Sequence, residues 1–108
     1  MSYGPYKGVV DAVHDGDTVY VRLDVGFDLT IYARCRIKGI NAPELRTAEG
    51  KTARDYAQQL LPVGIEVAVM SLGWDKYGGR IDATITFGEG RDFAQEMLAS
   101  GNAQPVSW

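Results

Sequence analysis

A strict alternation of apolar and polar residues from position 29 to position 38 constrains the fold of this chain more than any other feature. Its apolar members are Ile31, Ala33, Cys35 and Ile37, and its polar members are Tyr32, Arg34, Arg36 and Lys38. Successive side chains of a β-strand point to opposite faces of a sheet. The pattern therefore predicts a long strand with an apolar core face and a basic outer face.

Four other strands and two helices are predicted from comparable patterns. The five strands are predicted at residues 8–13, 18–23, 29–38, 65–69 and 81–87, and the helices carry apolar stripes at 53–61 and 93–98. Thr47 is predicted to be the N-cap of the first helix, Gly50 to be a weak point early in it, and Pro62 to end it. The order βββαββα suits a small closed barrel, because closure leaves no open sheet edge.

Size and charge limit the possible functions of the chain. Its 108 residues are enough for one domain, in which residues 1–5 are predicted to form a loose tail. The net charge of −3 argues against a general binder of polyanions, so contact with nucleic acid would need a local basic site or a bound cation.

The sequence also predicts the cellular setting. The sequence has no signal-peptide pattern at its start and no run approaching the roughly 18 apolar residues of a membrane span. We therefore expect a cytoplasmic protein that makes no membrane contact. Cys35 is the single cysteine, so no intramolecular disulfide forms, and it is predicted to be a small buried hydrophobe.

Three short clusters in this β-rich chain combine carboxylates with arginines. They are DGDT at residues 15–18, GINAPE at 39–44 shortly after Arg36, and DKYGGR at 75–80. Carboxylates and an Asn oxygen suit a hard divalent cation, and two arginines suit a phosphate, because a guanidinium presents paired donors to paired oxygens. Each cluster alone also fits a polar turn or a solvated loop. Together they indicate phosphodiester cleavage.

In this order the clusters resemble the motifs of the staphylococcal nuclease (thermonuclease) family: DGDT, then R-x7-E ending in APE, then DKYG(G)R. The resemblance extends over about residues 6–103. It implies an α+β, mostly β fold, namely a five-stranded oligonucleotide/oligosaccharide-binding (OB-fold) barrel with two packed helices. It also implies calcium-dependent cleavage of DNA and RNA.

The resemblance assigns a calcium site to the first two clusters. Asp17, Asn41 and the backbone carbonyl of Ala42 would bind the ion, and Asp15 would hold a metal-bound water. The family usually has an aspartate where Asn41 stands. Asn41 offers an oxygen but no negative charge, so we expect weaker calcium affinity.

The resemblance also assigns the groups that act on the substrate. Arg36 and Arg80 would flank the scissile phosphate and stabilise charge in the transition state, and Glu44 would position the attacking water. Lys76 and Tyr77 match positions that contact a terminal phosphate. The third cluster has one glycine more than the common family pattern. We place it at Gly79, directly before Arg80.

Three readings of function stay open. The first is a calcium-dependent nuclease, and the joint presence of Arg36, Glu44 and Arg80 favours it. The second is a non-catalytic OB-fold module that binds nucleic acid or protein, which Asn41, Gly79 and the acidic net charge favour. The third is a protein–protein adaptor. For the nuclease we expect a monomer that acts on single-stranded or frayed DNA or RNA.

Overall fold

The computed structural model describes residues 3–74 and 79–107. The elements within those ranges are β1 Tyr3–Asp15, β2 Thr18–Asp24, β3 Thr30–Ile37, β4 Ile40–Asn41, α1 Ala48–Leu60, β5 Glu66–Trp74, β6 Ile81–Phe87, β7 Arg91–Asp92, α2 Phe93–Ala99 and β8 Gln104–Pro105. The predicted βββαββα order is confirmed for the long elements. The short strands β4, β7 and β8 were not predicted from the sequence.

Five strands form a closed barrel. Their order is β3-β2-β1-β5-β6, and all neighbours in that series are antiparallel. A parallel pairing of β3 with β6, from Cys35↔Ile81 to Ile37↔Ala83, closes the sheet. The predicted α+β class with a five-stranded OB-fold barrel and two helices is therefore confirmed.

The core lies inside the barrel and beneath both helices. The predicted core positions Ala33, Cys35 and Ile37 of β3 are buried. Ile31 differs, since its side chain is 50% exposed. β6 pairs with β3 only from Cys35 onward, so the beginning of β3 has a strand neighbour on one side alone. The alternation continues into this part of the strand, but the barrel does not cover it.

The prediction of a loose tail is wrong for residues 3–5. These residues begin β1, in which Tyr3 pairs with Ser71 and Tyr6 pairs with Val69. Gly4 and Pro5 are poor strand formers, so the sequence pattern did not predict a strand there. The register shifts between the two pairs, so β1 accommodates them in an irregular stretch.

Helix α1 begins as predicted and packs closely on the preceding loop. The hydroxyl of Thr47 accepts a hydrogen bond from the N–H of Gly50 at 2.9 Å, which confirms the N-cap. A Cβ atom on Gly50 would collide with the backbone carbonyl of Glu44. Gly50 thus does more than weaken the helix, because its missing side chain lets α1 approach the loop that carries Glu44.

No helix in the described ranges is both long enough and apolar enough to cross a membrane.

Candidate functional site

The first two polar clusters meet at one end of the barrel. Asp15 ends β1, Asp17 lies in the turn before β2, and Arg36 lies near the end of β3. Thr18 pairs with Arg36 across the two strands, and the N–H of Ile37 donates to the carbonyl of Asp17 at 2.9 Å. The hairpin register therefore brings the aspartates and the arginine together.

Gly16 lets the second cluster approach this turn. A Cβ on Gly16 would lie 2.6 Å from the Cβ of Ala42, and 3.2 Å from both Ala53 Cβ and Met97 Cε. These atoms belong to the loop after β4 and to the two helices. The site thus depends on a glycine for space, because any side chain there would separate the turn from Ala42 and both helices.

Asp17 is a buried carboxylate with fixed partners. It is 9% exposed. Its Oδ2 accepts from the N–H of Ala42 at 2.9 Å, and its Oδ1 accepts from the hydroxyl of Thr18 at 3.2 Å. Its own N–H donates to Asp15 Oδ1 at 3.0 Å. These bonds join the turn to the chain after β4.

Two effects compete over the charge of Asp17. Burial raises the pKa of Asp17 above its ordinary value, and the neighbouring Asp15 carboxylate adds to the rise. The N–H of Ala42 and the positive charge of Arg36 act in the opposite direction, and the net result is a raised pKa. A cation at this position would offset the cost of the buried negative charge.

The guanidinium of Arg36 is held in one orientation beside Asp17. Its Nη1 donates to the carbonyls of Ile37 and Ile40, at 2.9 Å each, and lies 3.7 Å from Asp17 Oδ2. Its Nη2 makes a longer contact of 3.4 Å with Asn41 Oδ1. Arg36 therefore contacts two of the three predicted calcium ligands, and the third, Ala42, is bonded to Asp17 through its N–H.

The donor types at this position fit a hard cation. Within residues 3–74 and 79–107, no group of three or more His, Cys, Asp or Glu side chains is arranged to hold a metal ion. A cation here would need the Asn41 amide oxygen and the Ala42 carbonyl in addition to Asp17. Calcium accepts all three kinds of oxygen. Of these three ligands only Asp17 carries a negative charge, and a cation would have to share its carboxylate with Arg36.

Glu44 lies in the loop that carries Ala42, but its carboxylate is paired with Arg46. Its Oε2 accepts from Nε of Arg46 at 2.6 Å, and the side chains of Glu44 and Arg46 are 68% and 84% exposed. Its backbone carbonyl accepts from the N–H and the hydroxyl of Thr47, at 2.9 and 2.7 Å. The structure thus anchors the backbone of Glu44 at the start of α1 and leaves its side chain turned to Arg46.

The third cluster is described only in part. Lys76 and Tyr77, predicted to contact substrate, lie outside the described residues. Gly79 has a φ of 76°, in the left-handed region that favours glycine, directly before the half-buried Arg80. Arg80 in turn immediately precedes β6, the strand that pairs with the end of β3.

Asp82 is a site neighbour that sequence reasoning missed. It pairs with Arg36 across the parallel β3–β6 contact, so the two residues lie on the same face of the sheet, and Asp82 is half-buried. In the sequence Asp82 is only one polar member of an alternating strand. The signal that singles it out is the β3–β6 register, which joins positions far apart in the chain.

No family model matches this chain, but a distant similarity to a curated protein is found. The chain is 32% identical, over an aligned stretch of 113 residues, to Endonuclease YhcR of Bacillus subtilis (strain 168). The alignment covers 93% of the residues of this chain but only 9% of the length of that protein. The resemblance to the staphylococcal nuclease family rests on the motifs and on the barrel.

Proposed function

We propose that this chain is a nuclease domain that hydrolyses phosphodiester bonds in DNA or RNA with the help of calcium. The observation that carries the proposal is the position of Arg36, whose guanidinium is fixed by two backbone carbonyls beside the buried Asp17. A fixed cationic donor next to an oxygen-rich cation site is suited to a phosphate. The distant similarity to an endonuclease supports the same activity.

In this proposal Arg36 acts on the phosphate. Negative charge on the non-bridging oxygens grows as phosphorus becomes five-coordinate, and a donor that is already oriented stabilises that charge without reorganising. The hydrogen bonds to Ile37 and Ile40 supply this orientation. Arg80, which precedes the strand paired with β3, would contribute the second guanidinium.

Calcium would be held by Asp17, Asn41 and the carbonyl of Ala42, with Asp15 beside them. The bound ion would supply a Lewis acid for a phosphoryl oxygen. Asp17 is prepared for this role, since its carboxylate is oriented by the N–H of Ala42 and by Thr18. The neutral Asn41 keeps the affinity low, because calcium sites gain strength with the number of charged ligands.

Glu44 would position and deprotonate the attacking water. This role requires its carboxylate to leave Arg46 and turn toward the phosphate. An exposed ion pair of this type contributes only about 0.2–1 kcal/mol, so the rearrangement is inexpensive. Lys76 and Tyr77 would contact a neighbouring phosphate of the substrate.

A non-catalytic OB-fold module that binds nucleic acid or protein is the second candidate. The pairing of Glu44 with Arg46 and the contact between Asn41 and Arg36 favour it, because both engage groups that catalysis would need. In that case Arg36 would still contact a phosphate, but no bond would be cleaved.

Cleavage of a labelled single-stranded DNA separates the two candidates. The wild-type protein should cut the strand with calcium and stop when a chelator is added. Arg36→Lys should abolish most of the cleavage, since a lysine cannot reproduce the forked donor geometry. Arg91→Ala, which removes an arginine on β7, is the matched control and should cut normally. Intact DNA under all metal conditions, together with measurable binding, would favour the non-catalytic module.

A further inference from the structure

The outer face of the β2–β3 hairpin carries tyrosines and arginines in two cross-strand pairs that are neighbours on that face. Tyr20 pairs with Arg34, and Arg22 pairs with Tyr32. The next pair on the same face toward the candidate site contains Arg36. We call Tyr20, Tyr32 and Arg34 the tyrosine–arginine face. It is continuous with the site, because Tyr32, Arg34 and Arg36 alternate along a single strand.

Tyr32 and Arg34 are exposed on this face, and Tyr20 is half-buried beside them. Tyr32 is 75% exposed. The guanidinium carbon of exposed Arg34 lies 5.9 Å from the ring centroid of Tyr20, and the ring of His14 contacts Tyr20 edge-on at 6.2 Å. These weak contacts favour the observed orientations of Tyr20 and Arg34 and leave the ring of Tyr32 accessible.

The face is also positively charged. In the part of the chain that the structure describes, Arg34 has no carboxylate within ion-pair distance, whereas Arg22 lies 3.6 Å from Asp11. Arg34 and Arg36 are separated by two strand residues, about 6.8 Å. That spacing is close to the distance between successive phosphates of an extended single strand. The chain is acidic overall, so the positive charge of Arg34 is a local feature of this face.

We infer that the tyrosine–arginine face is a binding track for single-stranded nucleic acid that continues from the candidate site. Arg34 contacts the phosphate next to the one at Arg36, and Tyr32 stacks on an unpaired base. A duplex keeps its bases stacked on each other and cannot offer a base to Tyr32, so the track selects single strands. The inference rests on nucleic acid being the ligand proposed above, but not on cleavage.

Fluorescence anisotropy with two oligothymidylates tests the track. A dinucleotide reaches little beyond Arg36, whereas a twelve-nucleotide strand covers the whole face, consistent with the roughly 4–16 nucleotides that OB folds occupy. Chelator is present throughout, and a gel confirms that the probe stays intact. Circular dichroism establishes that each variant is folded.

We expect Tyr32→Ala to weaken binding of the twelve-nucleotide strand on the order of tenfold, as for the loss of one stacked base. Tyr32→Trp should restore it. Arg34→Ala should weaken binding and also lower the log–log salt slope by about 0.7, the contribution of one phosphate contact to a single strand. Binding of the dinucleotide should change little in either variant.

Arg91→Ala is the matched control, since Arg91 also lies over an aromatic ring, 4.8 Å from the centroid of Phe87, but on β7. It should bind both probes as the wild type does. If the Tyr32 and Arg34 variants bind the long strand like the wild type, the track is refuted, and a protein partner becomes the better occupant of this face. If the wild-type protein binds neither probe, the nucleic-acid ligand itself is wrong.

Discussion

The guanidinium of Arg36 lies 3.7 Å from the carboxylate of Asp17, and their side chains are only 13% and 12% exposed. The two residues are distant in the sequence but adjacent across the β2–β3 hairpin. The opposite charges of the two side chains reduce the free-energy cost of burying them. Arg36 also donates hydrogen bonds to the backbone carbonyls of Ile37 and Ile40. This pair therefore links the stability of the barrel end to the proposed chemistry.

Arg36→Ala should lower both activity and stability. Removal of the guanidinium leaves the carbonyls of Ile37 and Ile40 without this donor and Asp17 without its ion-pair partner, at a cost of about 1–3 kcal/mol in the free energy of unfolding. Urea denaturation measures this loss. Arg34→Ala, on the exposed part of the same face, is the control and should unfold within about 0.5 kcal/mol of the wild type. Equal stability of the two variants would contradict the structural role of Arg36.

Asn41→Asp should tighten calcium binding. The substitution gives the proposed site a second directly placed carboxylate, and calcium affinity rises with ligand charge. Isothermal titration calorimetry with calcium alone measures the change. Gln58→Glu adds the same charge on the exposed side of α1 and should leave the affinity unchanged. An Asn41→Asp variant with unaltered affinity would place the ion elsewhere.

Arg46→Ala should release Glu44 for catalysis. The ion pair between them is exposed and therefore weak. Its loss increases the fraction of molecules in which the Glu44 carboxylate is unpaired by at most about fivefold. We expect kcat for cleavage of single-stranded DNA to rise within that limit, with little change in KM. Arg54→Ala, which breaks another arginine–carboxylate pair at the surface, with Asp55, is the control. A fall in kcat would instead show that Arg46 itself assists the reaction.

Cys35 should be chemically inert in the folded protein. Burial raises the pKa of its thiol from 9.0 to about 12, so the native thiol keeps its proton and resists a disulfide reagent near pH 8. The reagent should label it only in denaturant.

The same pKa shift predicts a pH dependence of stability. The native thiol binds its proton more tightly than the unfolded thiol, so its contribution is complete below pH 9 and is lost as pH rises toward 12. Between about pH 8 and pH 10 the wild type should lose about 1 kcal/mol more than Cys35→Ala. Denaturant unfolding at the two pH values measures the difference. Equal losses would mean that the thiol is not buried in solution.

Local patterns predicted the five long strands, the two helices and the Thr47 cap. The alternation around Cys35 and Ile37 and the Thr47 cap depend on neighbours within a few residues, and the structure confirms them. The pattern failed at residues 3–5, where Gly4 and Pro5 hide a strand that pairing with β5 stabilises. It also failed at Ile31, because burial depends on which strand lies opposite and not on the period of the sequence.

The sequence by itself determined the kinds of chemistry available: buried and exposed strand faces, a helix start, and carboxylates, arginines and glycines in three ordered clusters. Tertiary structure alone decided which of these groups meet. Barrel closure placed Asp82 opposite Arg36, and the hairpin register brought Arg36 to Asp17. The reason is physical, since residue type and spacing set local geometry, whereas long-range contacts follow from how strands pair to close the barrel.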